Sequence, residues 1–338
     1  MRVLVTGATG FIGREIVSEL SKINIEVIQV SSPKAESKNS NKTDLSNFYT
    51  ADISNYDNFR ELEKLDNIDA VIHSAGLAHQ FGKIEKAKFD AVNVEGTKNV
   101  ARLAVRLRAR QFLLISSTAI YGIKKSNSSS ELIIDETADC QPQTLYAESK
   151  LEAERVAIEI CEANNIGLTI LRLAPVLGEE NVGNAARLVQ AIDKGRFIWI
   201  GNGKNLKTLI DKRDVARVCV NILTNKNGTT EIFNVAAKPI TMKDFVVEIA
   251  EQLNKNIPNI KLPTGFLKIV FQLNARFLKL KKVDKIADTV EKWLSDDIYS
   301  AKKIEEVYGF QPKFSIAEAI KRQVNWYKSE KQKKLGQK

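Results

Sequence analysis

Arg2-Val3-Leu4-Val5, followed at once by Thr6-Gly7-Ala8-Thr9-Gly10-Phe11-Ile12-Gly13, is the stretch that decides the fold. The first four residues read as a short buried parallel strand. Residues 14–21 then place Ile16, Val17 and Leu20 at helical spacing. The intervening glycines stand at positions 7, 10 and 13, a Gly-xx-Gly-xx-Gly spacing rather than the tighter Gly-x-Gly-xx-Gly. Between a strand and a helix, such glycines serve a tight turn, close backbone approach to a pyrophosphate and close packing of helix on strand. The helix start adds free N–H groups and a positive dipole end. A dinucleotide site is therefore expected on Gly7, Thr9, Gly10, Phe11, Ile12 and Gly13.

Outward from this unit, strands alternate with helices. Strands are predicted at residues 26–30, 48–53, 69–73, 111–116, 168–173 and 231–235, with a helix over 92–107. This rhythm predicts an α/β fold with a mostly parallel, doubly wound sheet of seven strands. Two polar stretches, 31–47 and 124–131, read as exposed loops. Residues 176–205 and 239–330 leave the strand rhythm. They are expected to form a smaller C-terminal α/β substrate domain over the strands' carboxyl ends, against a dinucleotide-binding domain of residues 1–175 re-entered at 206–238.

Tyr146-Ala147-Glu148-Ser149-Lys150 puts a phenol and an amine four residues apart, on one face of a helix predicted from Leu145 to Ala163. A phenol ordinarily loses its proton near pH 10, and a neighbouring ammonium favours the phenolate. Lowering that value by about 3 units takes roughly 4 kcal/mol. A second positive charge, such as an oxidised nicotinamide, would help. Downstream of a dinucleotide site, the pair reads as a proton-transfer device.

At 338 residues the chain has room for one large and one small domain. Cys140, Cys161 and Cys219 form no ligand-spaced cluster, so neither disulfides nor a metal site is expected. The first strand begins at once and no apolar run approaches the roughly 20 residues of a spanning helix, so a cytoplasmic location is the expectation. The net charge of +10 includes a basic tail at residues 331–338, expected to be solvated and frayed. No nucleic-acid motif accompanies it. Residues 266–282 combine Phe266, Leu267, Ile269, Val270 and Phe271 with later lysines. That pattern suits an anionic membrane surface, a partner subunit or the small domain's own core.

The motifs together resemble an extended short-chain dehydrogenase/reductase of the NAD-dependent epimerase/dehydratase, or nucleotide-sugar, group. They run from the glycine turn through Asp52-Ile53, His73-Ser74-Ala75-Gly76, Asn93-Val94-Glu95-Gly96-Thr97 and Ser116-Ser117-Thr118-Ala119-Ile120-Tyr121-Gly122 to Tyr146–Lys150. The resemblance implies a Rossmann-like fold and NAD or NADP as cofactor. It also implies Asp52 and Ile53 at the adenine, Ser74, Ala75 and Gly76 lining the cleft, and Asn93 holding the geometry there. His73 on its own residue type reads as a packed histidine. Ser117 would bond the substrate oxygen, Tyr146 would be the acid/base, and Lys150 would lower the Tyr146 pKa and bind the nicotinamide ribose. Ser117 also reads as a strand-end capping hydroxyl, with Ser116 or Thr118 as its rivals.

Three departures bear on the reaction. Ala119 and Ile120 stand where 4,6-dehydratases carry an acidic pair, which argues against dehydration. Ser31 and Ser32, with Lys34 and Lys38 nearby, replace the acid that binds a ribose 2′-hydroxyl, which leans toward NADPH and reduction. Pro175 stands where galactose epimerases usually place Asn. The same region is similar to bacterial UDP-N-acetylhexosamine 4-epimerases and 4-keto-6-deoxy-sugar reductases, implying Asn184 and Lys207 on the substrate diphosphate. The leading expectation is therefore reduction of a UDP-4-keto-6-deoxy-N-acetylhexosamine in surface-polysaccharide synthesis. UDP-hexose 4-epimerisation is its rival, and a steroid- or flavonoid-type ketoreductase or a catalytically silent dinucleotide sensor stand further off. A homodimer is open.

Overall fold

The computed structural model describes residues 1–33, 47–78, 85–123, 133–225, 228–257, 260–263, 265 and 290–336. The central sheet holds β1 (Arg2–Thr6), β2 (Glu26–Ser31), β3 (Phe48–Thr50), β4 (Ala70–His73), β5 (Gln111–Ser117), β6 (Gly167–Leu173) and β7 (Glu231–Val235). All pair in parallel, in the order β7-β6-β5-β4-β1-β2-β3. The chain moves outward from β1 to β3, crosses back to β4, and moves outward the other way. The order therefore reverses between β1 and β4, where ligands bind at the carboxyl ends of such sheets.

Around the sheet lie α1 (Gly13–Lys22), α2 (Gly96–Arg106), α3 (Leu145–Ala163), α4 (Asn184–Asp193), α5 (Lys212–Thr224), α6 (Met242–Leu253), α7 (Lys302–Tyr308) and α8 (Ile316–Gly336). Alternation along the strands sorts the two faces. Val3 and Val5 join Ile16 and Leu20 of α1 and Val215 and Cys219 of α5 on one side. Leu4, Phe112 and Leu114 join Val100 and Leu103 of α2 and Cys161 of α3 on the other. With both faces covered, β6 is buried along its whole length. A third apolar cluster joins Val189 of α4, Phe197, Trp199, Phe245 and Ile249 of α6, and Ile320 and Val324 of α8.

Three expectations are corrected. The third strand stops at Thr50 because Asp52 turns the chain: its Oδ1 accepts from the Ser54 backbone N–H at 3.0 Å and the Ser54 hydroxyl at 2.7 Å. The helix expected over 92–107 begins as a π-helical stretch, Asp90–Glu95, before α2. The basic tail is helical through Gly336, tied back by Lys328 to the Gln252 carbonyl at 2.5 Å and by Lys331 to Asp193 at 2.6 Å. The expected loop charges Lys34 and Lys38, the loop 124–131 and the apolar segment 266–282 lie outside the described residues. Among the described residues no helix is long and apolar enough to cross a membrane, and no group of side chains could hold a metal.

Candidate active site

The glycine turn locks itself. Gly7 adopts φ +67°, a conformation that disfavours side chains, and the Gly10 N–H donates to the Gly7 carbonyl at 2.8 Å. A Cβ on Gly13 would stand 2.0 Å from the Gly7 carbonyl oxygen, and one on Gly7 would stand 2.7 Å from the Ala75 nitrogen. The turn thus binds α1 tightly to β1 and lets the segment after β4 approach closely. No side chain caps the start of α1, whose dipole end remains open to an anion. This cradle fits the pyrophosphate of a dinucleotide.

The other residues expected at the cofactor stand as follows. The buried Ser31, at the end of β2, shares a hydrogen bond of 2.9 Å with the Thr9 hydroxyl. Asp52 is exposed at the next strand end, and Ile53 is buried beneath α2, its Cδ1 occupying the space a Cβ on Gly96 would need. Gly76 faces Lys150, for a Cβ there would lie 3.3 Å from Lys150 Nζ and 3.2 Å from Asn93 Oδ1. Asn93 clasps the Leu77 backbone through bonds of 2.7 and 3.1 Å and donates to Ser149 at 2.9 Å. Ser149 in turn donates to the Tyr146 carbonyl at 2.8 Å, so this clasp also fixes the first turn of α3.

His73 is a structural residue. The single Thr97 hydroxyl proton goes to the Asn93 carbonyl at 2.6 Å, so Thr97 accepts from His73 Nε2 at 3.0 Å. His73 Nδ1 then accepts from Thr6 at 2.7 Å, and Thr6 accepts from the Ala75 N–H. Burial, reinforced by the nearby Lys150 charge, pushes the His73 pKa down to about 3. A neutral ring pins β4 between β1 and α2.

Ser117, Tyr146 and Lys150 come together where β5 ends against α3. Ser117 is a capping hydroxyl that also reaches the Tyr146 phenol. Its oxygen caps the turn Thr118–Tyr121 by accepting from the Ala119 N–H at 3.2 Å, and its hydroxyl bonds the Tyr146 phenol. Its rivals are turned away: Ser116 is buried and donates to Glu154, and Thr118 is buried and donates to the Leu173 carbonyl at 3.2 Å. Thr144 caps α3 through the Ala147 N–H, and the Tyr146 ring meets Phe89 edge-on at 6.3 Å. Lys150 Nζ donates to the Ile115 carbonyl at 2.8 Å.

Burial raises the Tyr146 phenol above its ordinary value, with the Ser117 bond pulling the other way. Burial brings Lys150 down to about 8, opposed by the Glu154 carboxylate. The chain alone therefore holds Tyr146 as a phenol at neutral pH. Forming the phenolate requires further positive charge beside it.

The substrate side departs from expectation in one place. Lys207 does not offer a free ammonium to a diphosphate, because Asp297 holds it at 2.6 Å and the Lys292 carbonyl at 2.8 Å. Asn184 opens α4 and is exposed. Ala119 is exposed and Ile120 is buried, so no acid stands at either position. Sequence reasoning missed a buried polar set behind the trio: Glu154, Arg172, Tyr121 and Asn234. Its signal was present, since Tyr146, Lys150 and Glu154 recur every four residues along one helix face.

A sequence model of the NAD dependent epimerase/dehydratase family matches residues 3–236. An N-acetyl-alpha-D-glucosaminyl-diphospho-ditrans,octacis-undecaprenol 4-epimerase of Escherichia coli O157:H7 is 30% identical over 77% of this chain and 75% of its own. A UDP-glucose 4-epimerase of Vibrio cholerae is 26% identical over 94% and 93%. The solved UDP-glucuronic acid 4-epimerase of Bacillus cereus, in complex with NAD, superposes with a TM-score of 0.74 at 20% identity, covering 98% of this chain and 99% of that one.

Proposed function

The chain belongs to the NAD-dependent epimerase/dehydratase family, and from that premise we propose that it inverts C4 of a UDP-linked N-acetylhexosamine, with NAD held in the glycine-turn site. The observation that carries this reading is the meeting of Ser117, Tyr146 and Lys150 at the carboxyl edge of β5, across from Gly76. The 4-epimerases among its relatives favour inversion over net reduction. Ala119 and Ile120, where a dehydratase would need acids, speak against loss of water.

When bound, NAD supplies the acceptor and donor of the C4 hydride. Tyr146, as phenolate, takes the proton from the sugar 4-hydroxyl and later gives it back to the same oxygen on the inverted carbon. Ser117 turns its hydroxyl from Tyr146 to that oxygen and stabilises the carbonyl stage. Lys150 contributes positive charge to the phenolate and a donor to the ribose. The segments 176–205 and 239–330 hold the sugar diphosphate, with Asn184 at the open start of α4.

A second reading, reduction of a 4-keto-6-deoxy sugar by NADPH, draws support from Ser31. A neutral hydroxyl at the end of β2 does not repel a 2′-phosphate as a carboxylate would. One experiment separates the two. Cofactor is released by denaturation and quantified, and fresh enzyme is given UDP-N-acetylglucosamine, or N-acetylglucosamine on a polyprenyl diphosphate, without added cofactor. Stoichiometric retained NAD with C4 inversion supports the epimerase, and the arm that turns over identifies the carrier. Turnover only of a 4-keto sugar with external NADPH overturns it. Tyr146→Phe should lower turnover by about 10²–10⁴ while NAD stays bound.

A further inference from the structure

Glu154 sits one helical turn beyond Lys150 on α3 and is buried, with 1% of its surface exposed. Its carboxylate accepts from Arg172 through Nη2 at 2.8 Å and Nε at 3.2 Å, and from the Ser116 hydroxyl. Arg172, itself 5% exposed, passes the contact on by donating to the Tyr121 hydroxyl at 2.9 Å. Tyr121 donates to Asn234 at 2.8 Å, and the Glu136 carboxylate accepts from the Asn234 N–H at 2.6 Å. The chain of polar groups thus runs from α3 behind β5 and β6 to β7.

We infer that Glu154 is a positioning residue for the reaction proposed above: fixed by Arg172 and Ser116, it keeps the Lys150 ammonium charged beneath Tyr146. The surroundings of Lys150 support this. Glu154 stands one turn along α3 from it, held by Ser116, which follows on β5 the Ile115 carbonyl that Lys150 Nζ donates to at 2.8 Å. Tyr146 stands one turn the other way and is bonded to Ser117, Asn93 Oδ1 and Lys150 Nζ both border the space over Gly76, and the neutral His73 on β4 feels the Lys150 charge. Arg172, on β6, stands beyond Glu154 and is neutralised by it. Glu154 is the carboxylate that counters the burial of Lys150. The inference rests on the proposed function for its meaning, while its test reads Lys150 directly.

Glu154→Gln retains the shape and an acceptor for Ser116 and removes the charge. The pH at which Lys150 loses its proton, followed by pH-dependent reductive methylation and peptide mass spectrometry of the full chain, should fall by about one unit or more. The alkaline limb of kcat should move with it, with KM and cofactor stoichiometry held. An unmoved Lys150 profile overturns the inference, whatever happens to the melting temperature. Because Gln leaves Arg172 buried without its carboxylate, the double variant Glu154→Gln with Arg172→Met serves if the single one does not fold, and a downward shift is again expected, smaller because the Arg172 cation leaves as well. Arg172→Lys keeps a countercharge and should lower stability without moving the Lys150 profile. A shifted profile in an enzyme that turns over no sugar diphosphate would sink the proposed function and leave this inference standing.

Discussion

Replacing Lys150 with Met tests whether the active site stores a desolvated charge. Burial brings Lys150 from 10.5 to about 8, so between those values the unfolded chain binds more protons than the native one. Stability of the wild type should therefore be lowest in this respect below pH 8, and should rise as pH climbs from about 8 toward 10.5. The full span corresponds to roughly 3 kcal/mol. Because the side chain retains some contact with solvent, about 1–2 kcal/mol is expected after screening. Met cannot titrate, so its stability lacks this rise. Lost packing and the lost bond to Ile115 shift the variant by an amount nearly independent of pH, since a neutral amine also donates. The prediction thus concerns the slope. Urea unfolding of cofactor-stripped wild type and variant, at intervals from pH 7 to 10.5, should show the wild type gaining on Lys150→Met by that amount. Tyrosines and other lysines titrate in both proteins and cancel. A difference that stays flat, or one that closes in the opposite direction, would refute a charged and buried Lys150.

Three further outcomes follow from the geometry. Gly13→Ala would drive a Cβ to 2.0 Å from the Gly7 carbonyl, and overpacking of this kind costs about 1–3 kcal/mol or more; cofactor released from the purified variant should fall about tenfold while far-ultraviolet circular dichroism is unchanged. Ser117→Ala removes both a donor at the reacting oxygen and the cap on Ala119, so kcat should drop by about 10² and stability by about 1 kcal/mol, read by turnover and urea titration. Lys207→Met breaks the contacts to Asp297 and Lys292, so the melting temperature should fall by a few degrees while KM for the sugar diphosphate changes less than about threefold. A much larger rise in KM would return Lys207 to the diphosphate.

The sheet was legible because both of its signals are local. Val3, Leu4 and Val5 are apolar on consecutive positions since both faces of β1 are covered, and the glycines follow at a spacing that only a turn under a helix explains. Boundaries were less legible where a side chain ends an element through a neighbour. Asp52 stops β3 by capping Ser54, and nothing in Phe48-Tyr49-Thr50-Ala51 announces it. The pairing of Lys207 was illegible for a similar reason, since its partner Asp297 lies 90 positions away and only folding brings the two together. The tail was misread only in its order: Lys331 stays exposed, as expected, but pairs with Asp193 on a helix that continues to Gly336.

The meeting of Ser117, Tyr146 and Lys150 was readable from spacing, yet spacing alone does not show the balance of forces on the phenol. Tyr146 and Lys150 lie one turn apart, which suggests that the amine lowers the phenol directly. In the folded chain without cofactor the Lys150 ammonium donates to the Ile115 carbonyl, and the Ser117 bond lowers the Tyr146 phenol while burial pushes harder the other way. Burial keeps the phenol protonated until further positive charge stands beside it. An oxidised nicotinamide carries such a charge and its reduced form does not. The phenolate would therefore be most populated when the cofactor is ready to accept hydride, and the proton it takes up would be held more tightly once hydride has been taken. Such coupling suits an enzyme that runs both directions in one turnover, as C4 inversion requires. It follows from the site's lack of a phenolate of its own, a property visible only once the burial of Tyr146 is known.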